Sequence, residues 1–465
     1  MKNVILILVD QMRYDCLGLN SENGIFTPNL DMLASKGINF RKCYSAVPTC
    51  IAARASLMTG LSPKNHHRVG YQDGVVWDYK KTMANEFGKL GYQTQAIGKM
   101  HVYPERNRIG FDNVILHDGY LHANRVKKGL YAKNYEYYDD YLNWLKAENG
   151  YASDIIDSGI SCNSWVSRTW IGEERYHPTN WVTDQAIEFF KKHDPMNPFF
   201  LNISYVRPHS PLDPPEFFNN LYSQTTIEYP IGKWVLTDIN NKDTEALEIS
   251  LNKDVLMRTR RAYYGLISHI DNQIGKLLIA LEESGEKENT IIAFASDHGD
   301  QLGEHNLFRK GFPYQGSVHV PFFIYDPSTD RQQQNSDKLM ELRDVFPTLI
   351  KTATNQCVEN IDGVDIMNNK DTREYIHGEH SLGKYSNHYI VTSKWKYIWF
   401  DQTNIEQLFN LENDPNECNN IFFEQKEIAR SLRKKLIEEL SNREENYVSN
   451  NELVCRRPRV EILKR

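Results

Sequence analysis

Two apolar runs in the sequence end in acid, and they lie far apart along the chain. "VILILVDQ" delivers Asp10 and Gln11, and "TIIAFASDHG" delivers Asp297 and His298. Each run reads as a buried strand, and ligands of open α/β sheets bind just outside the carboxyl ends of such strands. Both pairs can therefore converge on one crevice. Two carboxylates, an amide oxygen and an imidazole suit a divalent cation. The oxygen majority favours Ca²⁺ or Mg²⁺, and the imidazole keeps Mn²⁺ and Zn²⁺ open. A single Asp after a strand is usually a turn or cap residue. Two such pairs, each with a second ligand beside the acid, form a metal-site pattern.

Cations follow the same rule of place. "GYQTQAIGKMH" carries Lys99 and His101 past a strand, "SYVRPHSP" carries Arg207 and His209, and "GEHNLFRKG" carries His305, Arg309 and Lys310 shortly after the Asp297 strand. Point charges gathered at strand ends in a net acidic protein are what a tetrahedral oxyanion needs.

"VPTCIAARASLMTG" adds a thiol. If Cys50 opens a helix, it sits at the positive end of the dipole, with Arg54 one turn on along the same face, about 5 to 6 Å away between β-carbons. A thiolate is stabilised there. Soft sulfur is nevertheless a poor match for a hard, oxygen-ligated metal, and an oxygen nucleophile fits better.

Alternating units position these groups. "NVILILV" reads as strand and "TPNLDMLASKG" as helix, with Thr27 as N-cap, Pro28 in the first turn and Gly37 as stop. "TMANEFGKLGY" and "QTQAIG", then "NWVTDQAIEFFKKH" and "PFFLNISYV", repeat the alternation. Between Val255 and Ser284, Ala262, Leu266, Ile270, Ile274, Leu277, Leu278 and Leu281 share one helical face ahead of the "TIIAFAS" strand. The fold class is α/β, a large, mostly parallel but mixed sheet sandwiched by helices, with a smaller C-terminal domain of antiparallel sheet plus helix. Residues 1–368 form the α/β catalytic domain, bounded by the polar "NNKDTR". Within it the Tyr- and Lys-rich stretch 103–175 is read as an insertion shaping the substrate cleft. Residues 369–465 form an α+β subdomain ending in a helix from about Glu424 to Leu440 and a solvated basic tail.

Composition sets the outer bounds. The 465 residues are 40% hydrophobic, enough for a large core, and the net charge of −7 gives no global positive field for nucleic acid or an anionic membrane. The N-terminal apolar run ends at Asp10, short of the roughly 20 residues of a membrane span, and carries no cleavage site. The expected location is the cytoplasm, or the periplasm or exterior if a leader was trimmed. Seven scattered cysteines argue against a disulfide framework or a structural zinc site.

The ordered motifs resemble those of the type I, formylglycine-dependent sulfatases of the alkaline-phosphatase superfamily, of the arylsulfatase kind. "CIAARASLMTG" is similar to the signature Cys-x-Pro/Ala-x-Arg, and "GYQTQAIGKMH" to the second sulfatase signature. "VDQMRYD", "TPNLDMLASKGINF", "PFFLNISYVRPHSP", "SDHGDQLGEHNLFRKG" and "LFNLENDPNE" extend the likeness over nearly the whole chain outside 103–175. In that family the cysteine is oxidised to formylglycine, whose aldehyde hydrates to a geminal diol. The resemblance implies that Asp10, Gln11, Asp297 and His298 hold one divalent metal, usually Ca²⁺ with Mg²⁺ or Mn²⁺ as alternatives, and that the group made from Cys50 also touches it. Arg54 would polarise the diol, while Lys99, His209 and Lys310 would bind the sulfate, with His209 or Lys310 assisting the departing alcohol. Attack on sulfur would leave a sulfated hemiacetal, and His101 would help the second hydroxyl expel sulfate. A serine could be sulfated but has no second hydroxyl to drive that release. Arg207, Arg309, His377, Glu379 and His380 are the candidates for contacts to the rest of the substrate, a small sulfated molecule of saccharide type.

Ala52 stands where the commonest signature has proline, which resembles cysteines matured by oxygen-independent radical enzymes of anaerobic bacteria. Gln11 and His298 sit where many sulfatases carry Asp and Asn, and that pairing also occurs in phosphonate monoester and phosphodiester hydrolases of the same superfamily. The Lys99 and His101 pair points back to sulfate. Two alternatives stand beside the sulfatase reading. One is such a phosphonate hydrolase, and the other a non-catalytic, metal-dependent binder of sulfated ligands with Cys50 unmodified.

Overall fold

In the computed structural model, residues 1–22, 24–118, 135–150, 159–235, 239, 241–329, 334–368 and 373–464 are described. Strand β1 (Asn3–Asp10) is buried along its whole length, because both faces of the sheet are covered. Its alternation feeds two cores. Ile5, Ile7 and Val9 pack on one side of the sheet with Leu266, Ile270 and Ile274 of the long helix that runs from Lys253 to Glu283. Val4, Leu6 and Leu8 pack on the other side with Ala53 and Leu57, Met83 and Phe87, and Leu349 and Ile350. Those residues lie on helices Cys50–Thr59, Met83–Lys89 and Val345–Thr354.

Further strands of the sheet are β2 (Ile38–Phe40), β3 (Gln93–Gly98), β4 (Asn113–Leu116), β5 (Phe199–Pro208), β6 (Thr290–Ser296), β7 (Phe322–Tyr325) and β8 (Gln334–Ser336). Their order is β4-β3-β5-β1-β6-β7-β2-β8. The run from β4 to β6 is parallel, and β7 alone runs against its neighbours β6 and β2. Strand β4 lies inside the stretch read as an insertion, so the sheet reaches one strand further than periodicity reveals. Within that stretch, residues 119–134 and 151–158 lie outside the described residues.

Register brings the strand ends into line. Val9 pairs with Ser296, so Asp10 and Asp297 leave neighbouring parallel strands side by side. The β1–β5 register breaks after Val9, and Asp10 faces Pro208. Gly98, at the end of β3, has φ +92°, and a β-carbon there would lie 2.0 Å from the Ser204 carbonyl oxygen. Only glycine allows that approach, which delivers Lys99 to the same edge.

A second, four-stranded antiparallel sheet comprises β9 (Ile376–His380), β10 (Asn387–Val391), β11 (Trp395–Phe400) and β12 (Ile405–Asn410). One face packs on Tyr44, Phe312, Tyr314 and Val318 of the main body. The other packs on Ala429, Leu432, Leu436 and Leu440 of the helix Lys426–Leu440. The boundary expected at 368 adjoins residues 369–372, which lie outside the described residues. Among the described residues no helix is long and apolar enough to cross a membrane.

Candidate functional site

The strand ends form one buried cluster. Asp10, Cys50, Asp297 and His298 each offer a ligand atom, all within 4.8 Å of one another. His298 Nε2 lies 3.4 Å from Asp10 Oδ1 and 3.8 Å from Asp297 Oδ1. The other ring nitrogen, Nδ1, is 2.9 Å from the Gly299 carbonyl oxygen. Donation there fixes the tautomer that leaves the Nε2 lone pair facing the carboxylates. Gln11 adopts φ +72°, a left-handed conformation that costs a non-glycine residue about 1 kcal/mol or more. Its backbone N–H donates to Asp297 Oδ1 at 3.1 Å, and Tyr263 donates its hydroxyl to the Gln11 carbonyl. The side-chain amide donates to Asp300 Oδ2 at 2.6 Å, which turns Oε1 toward Lys310, 2.9 Å away. Burial, and then the charge of Asp10, push the Asp297 carboxyl up. Two adjacent buried carboxylates with an amide oxygen and an oriented imidazole fit a hard divalent cation, which would relieve that repulsion.

Cations surround the cluster. Lys99 is in direct contact with Asp10 Oδ2. Burial and Cys50 would raise the Asp10 carboxyl, but Lys99, His209 and Lys310 outweigh them and hold it below the usual range. Arg54 Nε donates to Asp297 Oδ2 at 2.9 Å, and its Nη1 to the Lys99 carbonyl at 2.7 Å and Ser204 Oγ at 2.9 Å. Arg54 Nη2 is a buried donor that meets no partner among the described residues.

Cys50 is the first residue of its helix, as the sequence predicts. Its Sγ lies 3.2 Å from His298 Nε2, 3.5 Å from Lys310 Nζ and 3.6 Å from Asp10 Oδ1. Burial would raise this thiol, but Lys310, Lys99 and His298 hold it well below its ordinary value. His209 Nε2 meets Lys310 Nζ at 2.5 Å while its Nδ1 is 2.9 Å from the Ser210 carbonyl. Burial, then Lys310, bring His209 down to about 4, so it is neutral at pH 7. His101, at φ +54°, has Nε2 3.5 Å from Asp73. Its backbone N–H donates to Asp118 at 3.0 Å.

A cavity of about 350 Å³ opens on this cluster. Cys50, Lys99, His101, His209, Arg309, Lys310 and His380 line it. Four other candidates, Arg207, His305, His377 and Glu379, turn away. Arg207 is buried in a bidentate pair with Asp213, at 2.7 and 2.9 Å. Glu379 makes a bidentate pair with Arg443, both bonds at 2.9 Å. His377 stacks on His388 at 5.7 Å, and His305 lies on Trp234 at 4.9 Å while accepting from the Gly232 N–H. Of the C-terminal trio, the cavity therefore meets His380 only. Sequence reasoning missed Asp300, which orients Gln11, and Asp73, which partners His101. Asp300 had a signal, lying three residues past Asp297 in the same polar turn. Asp73 sits in a loop that nothing local marks out.

A family model described as Sulfatase matches residues 2–355, and one described as N-sulphoglucosamine sulphohydrolase, C-terminal, matches 303–446. The chain is 52% identical to an arylsulfatase of Clostridium perfringens over 466 residues, covering 97% of each. The phosphonate monoester hydrolase structure of Agrobacterium radiobacter superimposes with a TM-score of 0.76 at 21% identity, over 98% of this chain and 100% of that one. The structure of BT4656 with its substrate D-glucosamine-2-N,6-O-disulfate gives a TM-score of 0.72, also at 21% identity, over 94% of this chain and 97% of that one. At such identity it is the fold that is shared. The family model and the near full-length relative carry more, and on them the chain belongs to the sulfatase family, the sulfuric ester hydrolases of the alkaline-phosphatase superfamily.

Proposed function

We propose that the protein hydrolyses sulfate esters of small saccharides, with aryl sulfates as model substrates, and that it does so with Ca²⁺ and a formylglycine made from Cys50. The observation that carries this is the position of Cys50 Sγ, within 3.6 Å of Asp10, His298 and Lys310 at the floor of the cavity. The saccharide reading leans on the neighbour whose substrate is a glucosamine disulfate. A cavity of about 350 Å³ is large enough for a sugar ring beside a sulfate. The Cys50-x-Ala52 pattern supports maturation by an oxygen-independent radical enzyme.

A divalent cation held by Asp10, Gln11, Asp297 and His298 would supply Lewis acidity and charge stabilisation to a sulfate oxygen. Formylglycine at position 50 would supply a hydrated aldehyde, an oxygen nucleophile in place of a soft thiolate. The remaining work falls to the chain's own side chains. Arg54, tied to Asp297 through Nε, has Nη2 without a partner among the described residues, so that it can hold an oxygen at position 50. Lys99, Lys310 and His209 provide fixed donors for the charge that builds on the sulfuryl oxygens. Lys310 and neutral His209, 2.5 Å apart, can share the proton that the departing alcohol needs. His101, next to Cys50 and backed by Asp73, is placed to take a proton from the group at position 50.

The test is sulfate release from 4-nitrophenyl sulfate by protein co-produced with a radical maturase and supplied with Ca²⁺, in parallel with an aryl phosphonate. Sulfate is the expected preferred ester, with a Cys50 peptide lighter by about 18 Da from conversion of CH₂SH to CHO. Equal activity in Cys50→Ala would sink the mechanism, and a large preference for the phosphonate would overturn the choice of substrate.

A further inference from the structure

The cations of the site can be matched one by one with carboxylates. Lys99 faces Asp10, Arg54 faces Asp297, and Arg207 faces Asp213. Two remain: among the described residues, Lys310 and Arg309 have no carboxylate within ion-pair distance. Lys310 lies 3.5 Å from Cys50 Sγ, where the scissile sulfate must sit. One sulfate accounts for it, which leaves Arg309 over.

Arg309 is half-buried and lines the cavity beside Lys310, Cys162, Asn163 and Leu247. Among the described residues its guanidinium makes one hydrogen bond, from Nη2 to the Glu245 carbonyl at 2.7 Å, and its buried Nε meets no partner. Partial desolvation without a carboxylate in contact is unfavourable, and burial outweighs the more distant charges of Asp300, Glu245 and Asp243 and draws the group below its ordinary pKa. The backbone nevertheless holds it there. Arg309 adopts φ +66°, its N–H donates to Asp300 Oδ1 at 2.8 Å, and its carbonyl accepts from the Gln301 N–H at 2.8 Å. A cation with no carboxylate in contact, kept at a cavity wall by a strained and doubly bonded backbone, is arranged for an incoming anion.

We infer that Arg309 binds a second anionic group, a carboxylate or a sulfate, on the alcohol half of the substrate, so that the preferred substrates are dianionic. The inference rests on the sulfatase reading above. It narrows the substrate class to acidic or multiply sulfated saccharides.

The test uses matured holoenzyme and matched aryl sulfates: 3- and 4-carboxyphenyl sulfate, the corresponding sulfonatophenyl sulfates, and the neutral carbamoylphenyl sulfates of the same shape. In the wild type, kcat/KM for at least one charged probe should exceed that of its carbamoyl twin by about tenfold, chiefly through KM, as expected for one charge-assisted hydrogen bond. Whether the carboxylate or the sulfonate shows the larger ratio tells which group the subsite takes. In Arg309→Gln the ratio should fall to about one, and Arg309→Lys should keep part of it. A wild-type ratio near one for all charged probes overturns the inference and needs no variant. So does a ratio that survives in Arg309→Gln. Failure of the sulfatase reading looks different, because then no aryl sulfate, 4-nitrophenyl sulfate included, is hydrolysed.

Discussion

Asp300 Oδ2 accepts the side-chain amide of Gln11 at 2.6 Å, while Oδ1 accepts the backbone N–H groups of Leu302 and Arg309 at 2.7 and 2.8 Å. One buried carboxylate thus fixes both the amide oxygen proposed as a metal ligand and the loop that carries Lys310. Asp300→Ala should weaken metal affinity by about 10- to 100-fold, the usual cost of losing an outer partner of a ligand. Calcium titration of chelator-stripped protein, followed by calorimetry, reads this directly. Unchanged affinity would mean that Gln11 is held by the backbone alone.

Arg207 and Asp213 clasp the loop that carries His209, and both side chains are buried. Asp213→Ala leaves the guanidinium without its counter-ion and should cost about 3 to 5 kcal/mol. Urea denaturation measures the loss. A cost below about 1 kcal/mol would show that the pair contributes little beyond packing.

Glu379 has its carboxyl raised by burial, but Arg443 outweighs that and takes it from an ordinary 4.5 down to about 2. The folded state therefore releases this proton more readily than the unfolded chain does. The resulting stabilisation, about 3 kcal/mol, is complete above pH 4.5 and fades as pH falls toward 2. Glu379→Gln should be less stable than the wild type at pH 7, with Glu445 still bonded to Arg443 at 2.6 Å. The gap between the two should shrink steadily on acidification below pH 4.5. A pH-independent gap would assign the effect to packing instead of charge.

Much of this site can be read before any coordinates. Asp10 and Asp297 end unbroken apolar runs, and a strand buried on both faces has that pattern and little else, so their convergence follows from strand order alone. Cys50 and Arg54 share a helix, where spacing fixes distance. Pairings made across loops stay hidden. Arg207 looks like another cation for the substrate until Asp213, beyond two prolines, is seen to close on it. Glu379 finds Arg443 across the C-terminal subdomain, and no local pattern announces such a partner. The edge strand Asn113–Leu116 escaped notice because four residues in a Tyr- and Lys-rich setting give too short a period to detect.

Cys50 is only 2% exposed in the folded protein, at the floor of the cavity and packed beside His298 and Lys310. A second protein reaches that thiol more easily before this enclosure exists. Synthesis provides an interval, since about 250 residues separate Cys50 from Asp297 and His298. At about 5 to 20 residues per second, the segment bearing Cys50 waits roughly 10 to 50 s for the strand that completes its surroundings. The distance between the two halves of the site along the chain therefore acts as a clock, and it sets how long the Cys50 segment stays open during synthesis.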